Sequence, residues 1–190
     1  MDEVAKNAVS SEALPVVIEQ AVPEDAQEIC SVLGKTWFDT YPNAEAGITR
    51  EDIRLRIEGE RGERIQPSID RWRNTIETSD GSHAVYVARM NDKIVGMAAP
   101  SFIGGMRRVG ALYVLPEVQG KGVGSALMQK VLEWHGTGEA IYLAVARYNQ
   151  KAIDFYKRFG FKQTRSIEDE GDVYGGKQIP EIEMVRQAQD

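Results

Sequence analysis

Between Val109 and Val145 the chain passes from an apolar strand pattern, through a glycine-rich turn, into an amphipathic helix and out into a second apolar run, and no other stretch restricts the fold as much. Val109 to Leu115 is rich in residues that favour extended backbone, and Pro116 prevents its simple continuation. Gly120, Gly122 and Gly124 follow, and Leu127, Val131 and Trp134 then recur along one face of a helix ending near Trp134. Ile141 to Val145 is apolar throughout, the pattern of a strand covered on both faces.

The other segments fit around this unit. Pro15 precedes a β-branched strand at Val16 to Ile18, and Pro23-Glu24-Asp25 offers a helix start with early acids. In that helix Ile29, Val32 and Leu33 continue into Trp37, Phe38 and Tyr41 and stop at Pro42. Thr49 with Asp52 three residues later, an acidic relative of the capping box, opens a second helical stretch. Gly59 and Gly62 interrupt it, and helical character resumes from Ile69 to Ile76. The period then becomes two: a strand at Ala84 to Ala88, a tight turn at Asn91-Asp92-Lys93, a hairpin partner from Ile94 to Ile103, and a turn at Gly104-Gly105. A helix from Asn149 to Phe159, a stop at Gly160, and strands at Phe161 to Ile167 and Ile179 to Val185 complete the chain. The order is β, two helices with the second interrupted, three strands, α, β, α and two strands. It predicts an α/β fold of the mixed α+β kind, a central sheet flanked by helices.

At 190 residues the chain has the length of one domain, and 42% hydrophobic residues can fill a sizeable core. Residues 1–14 read as a flexible extension and 15–187 as the domain. The formal charge of −6 argues against a nucleic-acid partner. Cys30 is the one cysteine, so no internal disulfide forms and a reducing compartment is expected. The longest apolar run, Ala140 to Ala146, has seven residues, far short of the roughly 20 of a membrane helix. A cytoplasmic protein without a membrane partner is the expectation.

The glycine-rich turn carries the chemistry. Glycines admit a ligand close to the backbone, and the free N–H groups at a helix start favour an anion such as phosphate. A Walker loop requires Gly-Lys-Ser/Thr, but Gly122 follows Lys121; a dinucleotide fingerprint requires a third glycine where Ser125 or Leu127 stands. A tight turn serving only helix packing is the remaining alternative.

Gln119-Gly120-Lys121-Gly122-Val123-Gly124, followed by Asn149 and the run from Ala152 to Phe161, resembles the GNAT superfamily of N-acetyltransferases. That family shows Gln/Arg-x-x-Gly-x-Gly/Ala in its pyrophosphate loop and Asn-x6-Tyr-x3-Gly-Phe downstream; the close likeness spans about Val109 to Phe161. The resemblance implies a mostly antiparallel sheet splayed between strands 4 and 5, with acetyl-CoA as cosubstrate, no metal, and direct attack by a primary amine. The amine is carried by a small molecule, a polyamine or a peptide, and a homodimer is compatible with the family. It implies that Leu112, Tyr113 and Val114 take the pantetheine arm on their backbone, with Val114 N–H polarising the thioester carbonyl. Gln119, Gly120, Lys121, Gly122, Val123, Gly124 and Ser125 would hold the pyrophosphate, Lys121 adding charge. Asn149 and Tyr156 lie two helical turns apart, on nearly one face. Asn149 would bind the cofactor, or serve as a plain helix cap, and Tyr156 would protonate the departing sulfur.

One departure matters. Ala144 stands where the ribosomal-protein-modifying branch places a glutamate, so the base is unassigned among His83, Asp39, Glu51, Asp52 and ordered water. A non-catalytic acyl-CoA-binding module is the alternative function. Trp37 and Tyr41 would wall the acceptor pocket, and the acids Glu168, Asp169, Glu170 and Asp172 favour a cationic acceptor.

Overall fold

Two left-handed residues, Asn91 (φ 50°) and Asp92 (φ 60°), make the two-residue turn that joins β2 (Tyr86–Met90) to β3 (Lys93–Ile103). Gly104 and Gly105 (φ 59° and 77°) do the same between β3 and β4 (Met106–Val114). This computed structural model describes residues 15–167, the backbone of 173–174, and residues 176–188. The expected N-terminal extension and the acids at 168–172 lie outside the described residues.

With β1 (Val17–Gln20), β5 (Ile141–Ala146), β6 (Lys162–Ile167), a short hairpin of β7 (Val173–Tyr174) and β8 (Lys177–Gln178), and β9 (Glu181–Arg186), the strands form one seven-stranded sheet in the order β1-β2-β3-β4-β5-β9-β6, the hairpin standing apart. Every neighbouring pair in the large sheet is antiparallel except β4–β5. Those two strands pair only at Arg107↔Ile141 and Arg108↔Tyr142 and then part, so the sheet is mixed and opens in its middle, as expected. Pro100 sits inside β3, but a register shift between Ala99 and Pro100 accommodates its missing N–H.

The helices are α1 (Ala26–Thr40), α2 (Arg50–Ile57), α3 (Ile65–Glu77), α4 (Val123–His135) and α5 (Gln150–Arg158). Thr49 and Asp52 form a reciprocal capping box at the start of α2. Gly59 and Gly62 interrupt the second helical stretch as expected: both take φ near +80°, which separates α2 from α3. The latter starts at Ile65 rather than Ile69, because Pro67 in its first turn needs no N–H partner. The β7–β8 hairpin carries no alternation long enough to read in sequence.

Side chains of alternate residues in β4 leave on opposite faces. Val114 packs under α4, where a Cβ on Gly96 would come within 3.1 Å of Leu127 Cδ1. Tyr113 leaves on the other face, against Trp37 of α1. The main core joins Ile29, Val32, Val87, Met97, Leu127, Met128 and Phe161, while Ile48, Ile53, Ala146 and Ile179 form a second cluster under the α1–α2 connection.

Leu127 is wholly buried between α4 and the sheet, so Leu127→Ala is expected to lower unfolding free energy by about 3 kcal/mol in chemical denaturation. The Asp52 carboxylate accepts from Lys177 Nζ at 2.8 Å and from Thr49, and these bonds, Lys177 first, hold its pKa down to about 2. A depressed acid stabilises the fold above its unfolded value of about 3.9. That contribution is lost as pH falls from about 4 through about 2. Lys177→Met should move the Asp52 carboxyl back toward its ordinary range in an NMR titration; an unmoved carboxyl would contradict the assignment.

Candidate active site

Leu115 N–H donates to Val95 C=O at 2.9 Å, toward β3. Successive residues of a strand present their backbone groups to opposite edges, so those of Val114 and Leu112 face the side from which β5 has withdrawn. A cleft of about 1010 Å³ occupies that gap, lined by β4 from Val109 to Val114, β5 from Ala144 to Ala146, the α4 start and one face of α5. A buried strand edge with free N–H groups demands a hydrogen-bonding occupant.

The loop after β4 is braced by its own residues. Gln119 Nε2 donates to Val114 C=O at 2.9 Å, and Lys151 Nζ of α5 donates to Gln119 Oε1. The Gln119 side chain therefore ties loop, strand and α5 together at the cleft. Gly120 and Gly122 are left-handed (φ 79° and 86°), and a Cβ at either would meet nothing within 4 Å, so both border open space. Gly122 is the N-cap of α4 and no side chain among the described residues caps the helix, so the amides of its first turn are available to an acceptor. The positive end of the helix dipole and these donors make an anion site. Gly124 and Ser125 line the cleft; Val123 turns its side chain into the core, and Lys121 is exposed outside the lining.

Asn149 is the N-cap of α5, its Oδ1 accepting from Ala152 N–H at 3.1 Å, and the same residue lines the cleft. Capping uses the oxygen and leaves the amide NH₂ as a donor. Tyr156 lines the cleft from the same helix, 8% exposed, between the rings of Phe155 and Phe161. Burial first, and the Tyr113 hydroxyl second, push its phenol well above the ordinary 10. Tyr113 OH lies 3.0 Å from Tyr41 OH, and Tyr148 OH donates to Tyr41 C=O at 2.9 Å. Tyr41 and Tyr148 line the cleft, and burial followed by Glu181 pushes Tyr148 up to about 12. Trp37 instead lines a second cavity on the other face of β4.

Of the side chains considered as bases, only Asp39, exposed in the last turn of α1, lines the cleft. Asp52 is held by Lys177, Glu51 by Arg54 at 2.6 Å, and His83 lies in the second cavity with Nε2–H donating to Thr75 C=O at 2.9 Å. Ala144 is exposed in the cleft, and its cross-strand neighbour Glu183 accepts from Thr164 Oγ1 at 2.9 Å. Tyr148, Lys151 and Arg158 also line the cleft and are absent from the sequence expectations. Lys151 and Arg158 are seven residues apart, the spacing that pairs Asn149 with Tyr156, and that was the available signal.

The pattern of the acetyltransferase (GNAT) family matches residues 49–161. A protein of Mycobacterium tuberculosis described as an uncharacterized N-acetyltransferase is 38% identical over 143 residues, which cover 73% of this chain and 83% of that protein. The crystal structure of the paia N-acetyltransferase from Thermoplasma acidophilum in complex with coenzyme A superposes with a TM-score of 0.65 at 21% identity, covering 92% of this chain and 99% of that one. The structure of yncA from Salmonella typhimurium with its cofactor acetyl-CoA gives 0.62 at 19% identity, over 92% and 95%. These two structural likenesses establish the fold, and the sequence matches extend it to descent. With its glycine-rich helix start and parted parallel strands inside the matched stretch, this chain belongs to the acetyltransferase (GNAT) family.

Proposed function

We propose that the domain spanning 15–187 transfers an acetyl group from acetyl-CoA to a primary amine by direct attack. The observation that carries this reading is the uncapped start of α4 opening into the gap between β4 and β5. The residues fit the cosubstrate: first-turn amides and left-handed glycines for a diphosphate, and a free strand edge for the amide-bearing pantetheine arm. The coenzyme-bound state of the Thermoplasma and Salmonella proteins supports the same reading.

Acetyl-CoA supplies an activated acetyl thioester. The amides of Gly120 and of Gly122 to Ser125 hold the diphosphate, with Lys151 and Arg158 adding positive charge along the cleft wall. Leu112 and Val114 pair with the pantetheine amides as a β-strand would, and Val114 N–H polarises the thioester carbonyl. Asn149 donates its amide hydrogens to the same arm. The acceptor nitrogen forms its bond to the carbonyl carbon as the C–S bond breaks. Tyr156 gives its proton to the departing sulfur, and the acceptor nitrogen loses its own to ordered water or to Asp39. The raised pKa of Tyr156 keeps its proton available throughout the neutral and mildly alkaline range. The same burial raises the proton affinity of the thiolate, so the transfer is less uphill than the phenol alone would suggest.

The second reading, an acyl-CoA-binding module without turnover, is favoured by one observation: Ala144 puts no carboxylate into the cleft from β5. Coenzyme binding with no thiol release across a broad amine panel would select it.

Tyr156→Phe is expected to lower kcat roughly 100-fold, within the usual range for a lost general acid, with little change in Kd for coenzyme A by calorimetry. Equal turnover by the two proteins would remove Tyr156 from the mechanism. Gly124→Leu tests the cradle. A Cβ at 124 meets Phe155 and Val114 at ordinary contact distances of 3.5 and 3.7 Å, so the fold accepts it. The longer side chain enters the cleft and should weaken coenzyme A binding about tenfold or more, about 1.4 kcal/mol.

A further inference from the structure

On the opposite face of β4 from α4 lies a second cavity of about 540 Å³, walled by α1, α2, α3, β3 and β4. It meets the cofactor cleft across one strand, because Gly110, Ala111 and Tyr113 border both. Its volume suits a small organic molecule rather than a peptide chain.

The charge of this cavity runs against that of the chain. Acids outnumber bases 29 to 23 overall, yet among the described residues the cavity lining includes Arg56 and Arg71 and no Asp or Glu. Arg56 stacks over the Trp37 ring, 5.5 Å from its centroid, which holds the guanidinium at the wall. Arg71, on α3, forms no ion pair among the described residues. The lining combines the aromatic and apolar side chains of Leu33, Trp37, Trp72 and Tyr113 with polar ones from Thr75, Ser82, His83 and Ser101.

We infer that the acceptor is a primary amine bearing a carboxylate on an apolar or aromatic body: the carboxylate is bound at Arg71 and Arg56, the body lies between Trp37 and Trp72, and the amine reaches β4 at Gly110 to Tyr113. Guanidinium groups pair with carboxylates through two parallel N–H bonds, and a desolvating aromatic wall strengthens the pairing. The exposed guanidinium of Arg71 disfavours a polyamine, which turns the acceptor preference away from the cationic class. Gly110 borders both cavities, and close packing on β3 requires a glycine there, since a Cβ would lie 2.8 Å from Ala99 C=O. This inference rests on the acetyl-transfer reading for the role of the bound molecule but not for its binding.

The experiment has two arms. In the first, 3-phenylpropionate, which has the carboxylate and ring but no amine, is titrated into wild-type protein and Arg71→Met by calorimetry, with phenylethane-type neutral analogues as controls. Saturable binding to wild type, weakened at least tenfold in Arg71→Met and absent for the neutral analogue, supports the site. Equal binding to both proteins, or none to either, overturns it. In the second arm, kcat/KM is compared for phenylalanine, longer aromatic amino carboxylates and their descarboxy amines. A preference of tenfold or more for at least one carboxylate member, collapsing toward unity in Arg71→Met, supports the assignment; no preference, or one that survives the substitution, overturns it. Carboxylate binding in the first arm with no turnover of any amine in the second would retain the site and overturn the acetyl-transfer reading instead.

Discussion

The parting of β4 from β5 after two paired residues is the constraint from which the rest of the site follows. A sheet normally satisfies its interior backbone groups strand by strand, and an opening at its centre leaves a row of donors and acceptors in a place that is otherwise buried. The protein tolerates this gap because packing on either side does not depend on it. The α4 helix covers β3 and β4 from one face, β9 pairs along the whole of β5, and the small cluster of Ile48, Ile53, Ala146 and Ile179 closes one end. The exposed edge is then a template for a ligand that can itself pair like a strand.

Around that edge, polar groups are arranged so that the scaffold occupies some of them and frees others. Gln119 is consumed in bracing the loop, with its amide on Val114 C=O and its oxygen on Lys151. Asn149 is half consumed, its oxygen capping α5. The first-turn amides of α4 have no side-chain cap among the described residues. Tyr156 sits in a wall of aromatic rings whose low polarity keeps its proton on, while Tyr113, which also acts on that phenol, joins Tyr41 and Tyr148 in a chain of contacts reaching α1. One strand, β4, therefore supplies backbone to the cofactor cleft and side chains to the second cavity, with Tyr113 between them.

Much of this was legible before any coordinates. Asn91-Asp92 and Gly104-Gly105 announce hairpins because few residues accept left-handed backbone, and Thr49 with Asp52 announces a helix start because the two side chains can cap reciprocally. Gly120, Gly122 and Gly124 mark the helix start that borders the cleft, and the seven-residue spacing of Asn149 and Tyr156 puts both on the cleft side of α5. Less could be read where local pattern is weak: the first turn of α3, the two-residue strands β7 and β8, and the bulge that admits Pro100.

What the sequence determined by itself were those features governed by neighbours along the chain: turns, caps, helical faces, and the free amides after a run of glycines. Tertiary structure alone decided which carboxylates are spent and which face the cleft. Asp52 meets a lysine 125 residues away, Glu183 stands beside Ala144 only through strand register, and Arg56 and Arg71 share a cavity because separate helices pack over one strand. Charge pairing and burial depend on distance in space, and spacing along the chain gives no measure of that once the separation exceeds a helical turn or a hairpin.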